Sequence, residues 1–179
     1  MTVTISEVDI ADVSLVVNTT ATVSDAALTG SSAATAAGRE GATDSSVLAG
    51  ATFTDSNPGN HTADFTATIN WGDSGTSSGT VSYDSGVYTV SGSHTYADEG
   101  IYAISINVAD DGGQTATITG TATVADVALT GSDAATAAGT EGQTNSNVLA
   151  NATFTDANPG NHTGDFTATI NWEIGRAHV

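Results

Sequence analysis

DFTATINW, residues 64–71, is the stretch that decides the fold. Phe65, Ala67, Ile69 and Trp71 fall on one face, and Thr66, Thr68 and Asn70 on the other. A period of two with apolar residues on one side marks a half-buried β-strand. The same eight letters return at residues 165–172. Both tryptophans and two of the 4 phenylalanines lie in these two copies, so the core is expected to gather around this strand.

Trp71 and Trp172 set a period of 101 residues (172 − 71). Residues 22–71 and 123–172 differ at ten positions, so 40 of 50 are identical. Val3 and Ile5 fall on Ile104 and Ile106 at the same spacing, which extends the repeat to the N-terminus. A period of this size is that of a whole domain, too long for a solenoid unit. The expected organisation is residues 1–21 as the C-terminal strands of a preceding repeat, 22–122 as a complete repeat, and 123–172 as the N-terminal half of a further, truncated one. After Trp172 the repeat calls for Gly-Asp, but the chain reads EIGRAHV. That heptapeptide matches an in-frame reading of a common sequencing-library adapter, so residues 173–179 are expected to be a non-native tail. Phe166, Ile170 and Trp172 are then expected to lack the strands that should cover them, leaving an apolar face and open strand edges.

Within the complete repeat, strands are expected at about 22–28, 47–54, 64–71, 79–83, 87–92, 101–108 and 115–120. The long connection 29–46 is expected to be irregular, because its small residues near Gly38 cannot bury enough to hold a helix. DSNPGN at 55–60, DSG at 84–86 and DDGG at 110–113 are turn clusters. About seven short alternating strands in a hundred residues predict an all-β, immunoglobulin-like β-sandwich, here in tandem with partial copies at both ends.

Composition narrows the function classes. Asp and Glu number 20, against two arginines and no lysine, for a net charge of −18. Nucleic acid and anionic membrane are disfavoured as partners, because both need basic patches. The charge favours solubility and attracts cations, and it suits a salty medium that screens self-repulsion. Cysteine is absent, so neither disulfides nor thiol chemistry is available. Without lysine there is no Schiff-base chemistry and no Lys–Asn isopeptide cross-link. No run of apolar residues is long enough to span a membrane. No leader pattern follows Met1, so an export signal is expected to lie outside this sequence.

Three motifs in order carry a resemblance. They are Trp71-Gly72-Asp73, then HTYADEGIY at 94–102, then DDGG at 110–113. Together they resemble the polycystic-kidney-disease (PKD) repeat family and its bacterial relatives, whose pattern is W-G-D-G, then H-x-Y-x-x-x-G-x-Y, then D-x-x-G. Here the first motif reads W-G-D-S-G, with Ser74 inserted before Gly75. The resemblance implies an immunoglobulin-like sandwich in extracellular proteins, used as a spacer or accessory module. It gives Trp71, Gly72, Asp73, His94, Tyr96, Gly100 and Tyr102 structural roles. Tyr96, just before a core strand, is expected to form a tyrosine corner.

Catalysis is not expected: neither a G-x-S-x-G elbow nor an H-E-x-x-H helix is present, and His61, His94 and His162 sit in turns or structural motifs. The N-x-[ST] triplets at Asn18, Asn60, Asn151 and Asn161 are what chance gives in a threonine-rich chain. Calcium is the sharper expectation. Alternating turns of a sandwich share an end, which groups Asp55, Asp84, Asp110 and Asp111 at one end and Asp73, Asp98, Glu99 and Glu40 at the other. Asp156 of the following repeat is expected to approach the second group, giving an interdomain set of Asp73, Asp98, Glu99 and Asp156. Hard oxygen ligands of this kind suit Ca²⁺; solvated acidic turns are the alternative. No D-x-[DN]-x-[DN]-G loop is present.

The expected function is a non-enzymatic spacer or stalk repeat of a large secreted or surface-anchored bacterial protein of adhesin type. Its partners would be neighbouring repeats and a cell-surface protein or carbohydrate. An adhesive module binding carbohydrate or protein directly, or an accessory domain of a secreted hydrolase, are the alternatives. The adhesive role needs exposed aromatics, for which Tyr83 and Tyr88 are the candidates.

Overall fold

The structure is a computed structural model; it describes residues 2–6, 14–43, 48–140, 143–144 and 149–172. The N-terminal strands β1 (Thr2–Ser6) and β2 (Ser14–Asn18) form an antiparallel pair. The complete repeat holds β3 (Leu28–Gly30), β4 (Ala34–Arg39), β5 (Leu48–Ala49), β6 (Thr52–Asp55), β7 (Phe65–Asn70), β8 (Thr76–Asp84), β9 (Val87–Ser91), β10 (Gly100–Asp110) and β11 (Thr115–Ala125). A single 3₁₀ turn, Thr62–Asp64, leads into β7.

These nine strands are hydrogen-bonded in the order β3-β6-β9-β8-β7-β10-β11-β4-β5. The sheet folds over on β8: Thr76 to Gly79 pair with β7, and Thr80 to Asp84 pair with β9. The two ends of the order then face each other. Thr119 N–H donates to Ser31 O at 3.2 Å, so the chain just after β3 closes on β11. The result is the expected immunoglobulin-like β-sandwich, with β6 and β9 in one layer over β7, β10 and β11 in the other.

Alternation places the core between the layers. Phe65, Ala67, Ile69 and Trp71 are buried, and so are Ile104, Ile106 and Val108 of β10, Ala116, Ile118, Ala122 and Val124 of β11, and Phe53, Tyr88 and Val90 of the facing layer. Small residues let the layers approach. The Ile69 Cδ1 fills space over Gly79 and Gly92, where added Cβ atoms would lie 3.3 and 2.5 Å from it. Gly120 faces Ala34 in the parallel β4–β11 ladder, and a Cβ there would stand 2.0 Å from the Ala34 carbonyl oxygen.

Four boundaries differ from expectation. Residues 22–27 are irregular, and the pairing begins at β3. The connection at 29–46 contains β4, because Ala34 and Ala36 point into the core while the backbone pairs parallel to β11; residues 44–47 lie outside the described ones. The strand expected over 47–54 breaks at Gly50, whose φ of +66° turns the chain from the β4 side to the β9 side. The seam placed between residues 122 and 123 falls inside β11, which continues without a break to Ala125.

The following repeat copies the first in part. β12 (Leu129–Gly131) pairs with β15 (Phe154–Asp156), and β13 (Thr136–Ala137) with β14 (Leu149–Ala150), in the registers of β3–β6 and β4–β5. Asn151 stands where the first repeat has Gly50 and keeps its left-handed backbone at φ +58°, which asparagine tolerates better than most residues. The second DFTATINW is not a strand. Ile170 and Trp172 are 52% and 49% exposed, where Ile69 and Trp71 are fully buried. Residues 173–179 lie outside the described ones.

Candidate cation site at the inter-repeat joint

The family-like motif residues pack and hydrogen-bond together. Trp71 lies flat against His94, with ring centroids 5.1 Å apart. His94 Nε2 is 2.6 Å from Asp73 Oδ2. The other Asp73 oxygen accepts the Gly75 N–H at 2.8 Å, and Trp71 N–H donates to Gly75 O, so the inserted Ser74 is accommodated at φ +78° inside a closed loop. Burial pushes the Asp73 carboxyl up, but the His94 hydrogen bond, the Gly75 N–H and the His94 charge outweigh it and hold the group below its ordinary range. Gly72 is required at φ +89°, since a Cβ would meet the Ala103 carbonyl oxygen at 2.6 Å.

The tyrosine corner is divided. Tyr96 donates across the sandwich to Trp71 O at 3.1 Å. It is Tyr102, near the start of β10, that donates to a carbonyl four residues upstream, that of Asp98, at 2.9 Å. Its ring stacks on Tyr96 at 4.6 Å and packs over Gly100, whose φ is +153°. Burial first, then the charge of Asp73, raises the Tyr96 hydroxyl to about 12.

The joint between the repeats is where the acidic residues converge. Its geometry begins with β4 and β11, which run parallel until Arg39 faces Ala125. Glu40 then turns inward, is 6% exposed, and accepts the Val127 N–H on Oε1 at 3.0 Å. Glu99 comes from the turn before β10, and Asp126 follows β11 directly. Oxygens of Glu40, Glu99 and Asp126 all lie within 4.8 Å of one another. The Asp126 carboxyl is raised chiefly by its hydrogen bond with Glu40, then by burial and the charge of Glu40; the Val127 N–H opposes this.

The second repeat closes the joint with its DANPGNH turn, residues 156–162. Asn158 donates from Nδ2 to Ala97 O at 2.9 Å, crossing between repeats. A cavity of about 180 Å³ remains, lined by the three carboxylates together with Asp156, Asn158 and His162. A second group, Asp98, His162 and Asp165, also lies within 4.8 Å. The Pro159 carbonyl raises the His162 imidazole most; burial opposes it, and the charges of Asp165, Asp98 and Asp156 add to the rise.

Of the expected interdomain set, Glu99 and Asp156 line the cavity and Asp98 belongs to the neighbouring group, whereas Asp73 is engaged by His94. Sequence reasoning missed Asp126, Asn158, His162 and Asp165. The signal was present: Asn158 belongs to the same turn as Asp156, and Asp126 repeats Asp25 at the 101-residue period. At the opposite end, Asp55 and Asp110 accept N–H groups of their own turns, from Asn57 and Gly112. A hydrogen bond with Asp110, then the charge of Asp64, raises the Asp111 carboxyl. Asp55, Asp110 and Asp111 do not gather into a close group among the described residues.

Among solved structures, the chain is similar to the PKD domain of an M14-like peptidase from Thermoplasmatales archaeon SCGC AB-540-F20. The match has 24% identity, covers 56% of this chain and 93% of that one, and has a TM-score of 0.34. No protein-family model and no curated protein matches the sequence.

Proposed function

We propose that this chain is a non-enzymatic spacer: tandem sandwiches of a secreted or surface-anchored bacterial protein, joined stiffly enough to hold a distal domain away from the cell. The observation that carries this reading is the joint. β11 runs unbroken into the linker, and two hydrogen bonds, Val127 N–H to Glu40 and Asn158 Nδ2 to the Ala97 carbonyl, tie the following segment to the complete repeat. A linker held by backbone pairing and side-chain clamps restricts bending, whereas a flexible Gly/Ser linker would behave as a random coil. The direct-adhesion alternative is disfavoured by the aromatics: Tyr88 is 1% exposed and Tyr83 packs half-buried against the core, so neither offers a free stacking platform.

The test uses the absence of cysteine. Thr66→Cys and Thr155→Cys introduce two exposed labelling positions, one in each repeat. A narrow inter-label distance distribution by double electron–electron resonance is expected. A broad one, as for freely jointed beads, refutes the spacer reading. Selective capture of the chain on a glycan array would replace it with the adhesive one.

A further inference from the structure

We propose that Glu40, Glu99 and Asp126, with the side-chain carbonyl of Asn158, form a Ca²⁺ site that locks one repeat onto the next. The inference deepens the spacer reading, since it names what controls the stiffness of the same joint.

Two independent observations meet there. The first is the spacing of the carboxylates. Ligands on opposite sides of one Ca²⁺, each at about 2.4 Å, stand about 4.8 Å apart, and all other ligand pairs stand closer. The oxygens of Glu40, Glu99 and Asp126 satisfy that limit pairwise. The second is Asn158. It is 6% exposed, its Oδ1 has no hydrogen-bond partner, and it lines the same cavity. The Oδ1 packs over Gly41, the residue after Glu40, where a Cβ would come within 2.3 Å of it. Its amide nitrogen is already committed to Ala97 O, so the buried acceptor is left without a donor beside the Glu40–Gly41 backbone. A buried acceptor without a donor is costly, and so are like charges held together. One hard cation relieves both.

The charge count supports a cation from solvent. Glu40, Glu99, Asp126, Asp156 and Asp165 all line the cavity, which holds no lysine or arginine. His162 is the single basic group there, and its Nε2 faces the Pro159 carbonyl while its Nδ1 faces Asp165 at 3.6 Å. An all-oxygen set of carboxylates and an amide carbonyl suits Ca²⁺, which accepts flexible high coordination; Mg²⁺ demands a tighter octahedron and retains its waters. The site also joins the two repeats chemically: Glu40 and Glu99 come from one, Asn158 from the other, and Asp126 from the linker.

The experiment is calorimetric titration of the chelator-stripped full chain with CaCl₂, and separately with MgCl₂, alongside thermal melts. Wild type is expected to bind Ca²⁺ and to melt higher with it. Asp126→Asn and Glu99→Gln, both at exposed positions, are expected to weaken Ca²⁺ binding at least tenfold while keeping the circular dichroism of the folded sandwich. Asp126→Asn carries a further signature. In chelator it removes one of the crowded charges, so it should melt higher than wild type, and in Ca²⁺ it should lose that advantage. No Ca²⁺ binding, an equal response to Mg²⁺ or to matched sodium chloride, or binding unchanged in both variants overturns the proposal. A failure of this kind leaves the label-distance result standing, so the two readings fail separately.

Discussion

Ile69→Ala and Ile170→Ala make the same change in the same octapeptide, and the structure gives them different consequences. Ile69 is completely buried in β7, and its Cδ1 projects over Gly79 and Gly92. Buried isoleucine truncated to alanine costs about 2–5 kcal/mol, more where the surroundings cannot collapse into the void. Two glycines have no side chains to reorient, so the upper half, about 4 kcal/mol, is expected. Ile170 is 52% exposed and outside any strand, which puts its truncation within roughly 0.5 kcal/mol of neutral. The assay is urea unfolding followed by Trp71 fluorescence in a Trp172→Phe background, so that the signal reports the complete repeat alone. With a slope of about 1–2 kcal/mol per molar urea for a domain of this size, Ile69→Ala should lower the midpoint by at least about 2 M. Ile170→Ala should leave it unchanged. Equal shifts for the two variants, or a shift below about 0.5 M for Ile69→Ala, would refute the packing argument.

Tyr96→Phe removes the donor to the buried Trp71 carbonyl and should cost about 1–3 kcal/mol, while Tyr102→Phe, at a half-buried hydroxyl, should cost about 0.5–1.5 kcal/mol; thermal melts of both rank the two halves of the corner. The raised Tyr96 hydroxyl favours the folded state while it stays protonated, so that stability is complete below pH 10 and disappears as pH rises toward about 12. Alkaline titration by tyrosinate absorbance should show a late hydroxyl whose ionisation coincides with loss of near-ultraviolet dichroism, and Tyr96→Phe should abolish that late step. The depressed Asp73 carboxyl works at the other extreme: its contribution is present above the ordinary aspartate range and lost as pH falls through its lower folded value. The melting difference between wild type and Asp73→Asn should therefore shrink on going from pH 6 to pH 2. Gly120→Val drives a branched side chain into the Ala34 backbone and should cost about 3 kcal/mol or more by forcing β4 off β11; native hydrogen exchange at residues 34–39 should then rise selectively.

Much of the sandwich was legible because its signals are local. Alternation in residues 64–71 and 101–108, and turn clusters at 55–60, 84–86 and 110–113, each depend on a few neighbouring residues. What escaped depends on partners far along the chain. β4 reads as a run of small residues, and nothing nearby shows that Ala34 and Ala36 pack inward beside β11. Tyr96 and Tyr102 both suit a corner, and only the carbonyl each reaches tells them apart. At the joint, Asp98, Glu99 and Asp156 follow from which turns share an end, but the same rule places Asp73 there, and nothing local shows that His94, 21 positions away in sequence, engages it. Asp126 and Asn158 are not legible in the sequence, because an aspartate in a linker and an asparagine in a turn look ordinary until the second repeat seats against the first.

DFTATINW shows where the division lies. The sequence determines its periodicity, its apolar face and its recurrence after 101 residues, because these are properties of side-chain order alone. Whether those eight residues form a strand is decided by tertiary structure. At 65–70 they bond to β8 on one side and β10 on the other, and Ile69 and Trp71 vanish from solvent. At 166–171 the same letters have no partner strand among the described residues, and Ile170 and Trp172 stay half exposed. A strand carries half of each backbone hydrogen bond and half of each apolar contact, and the other half must come from elsewhere in the chain.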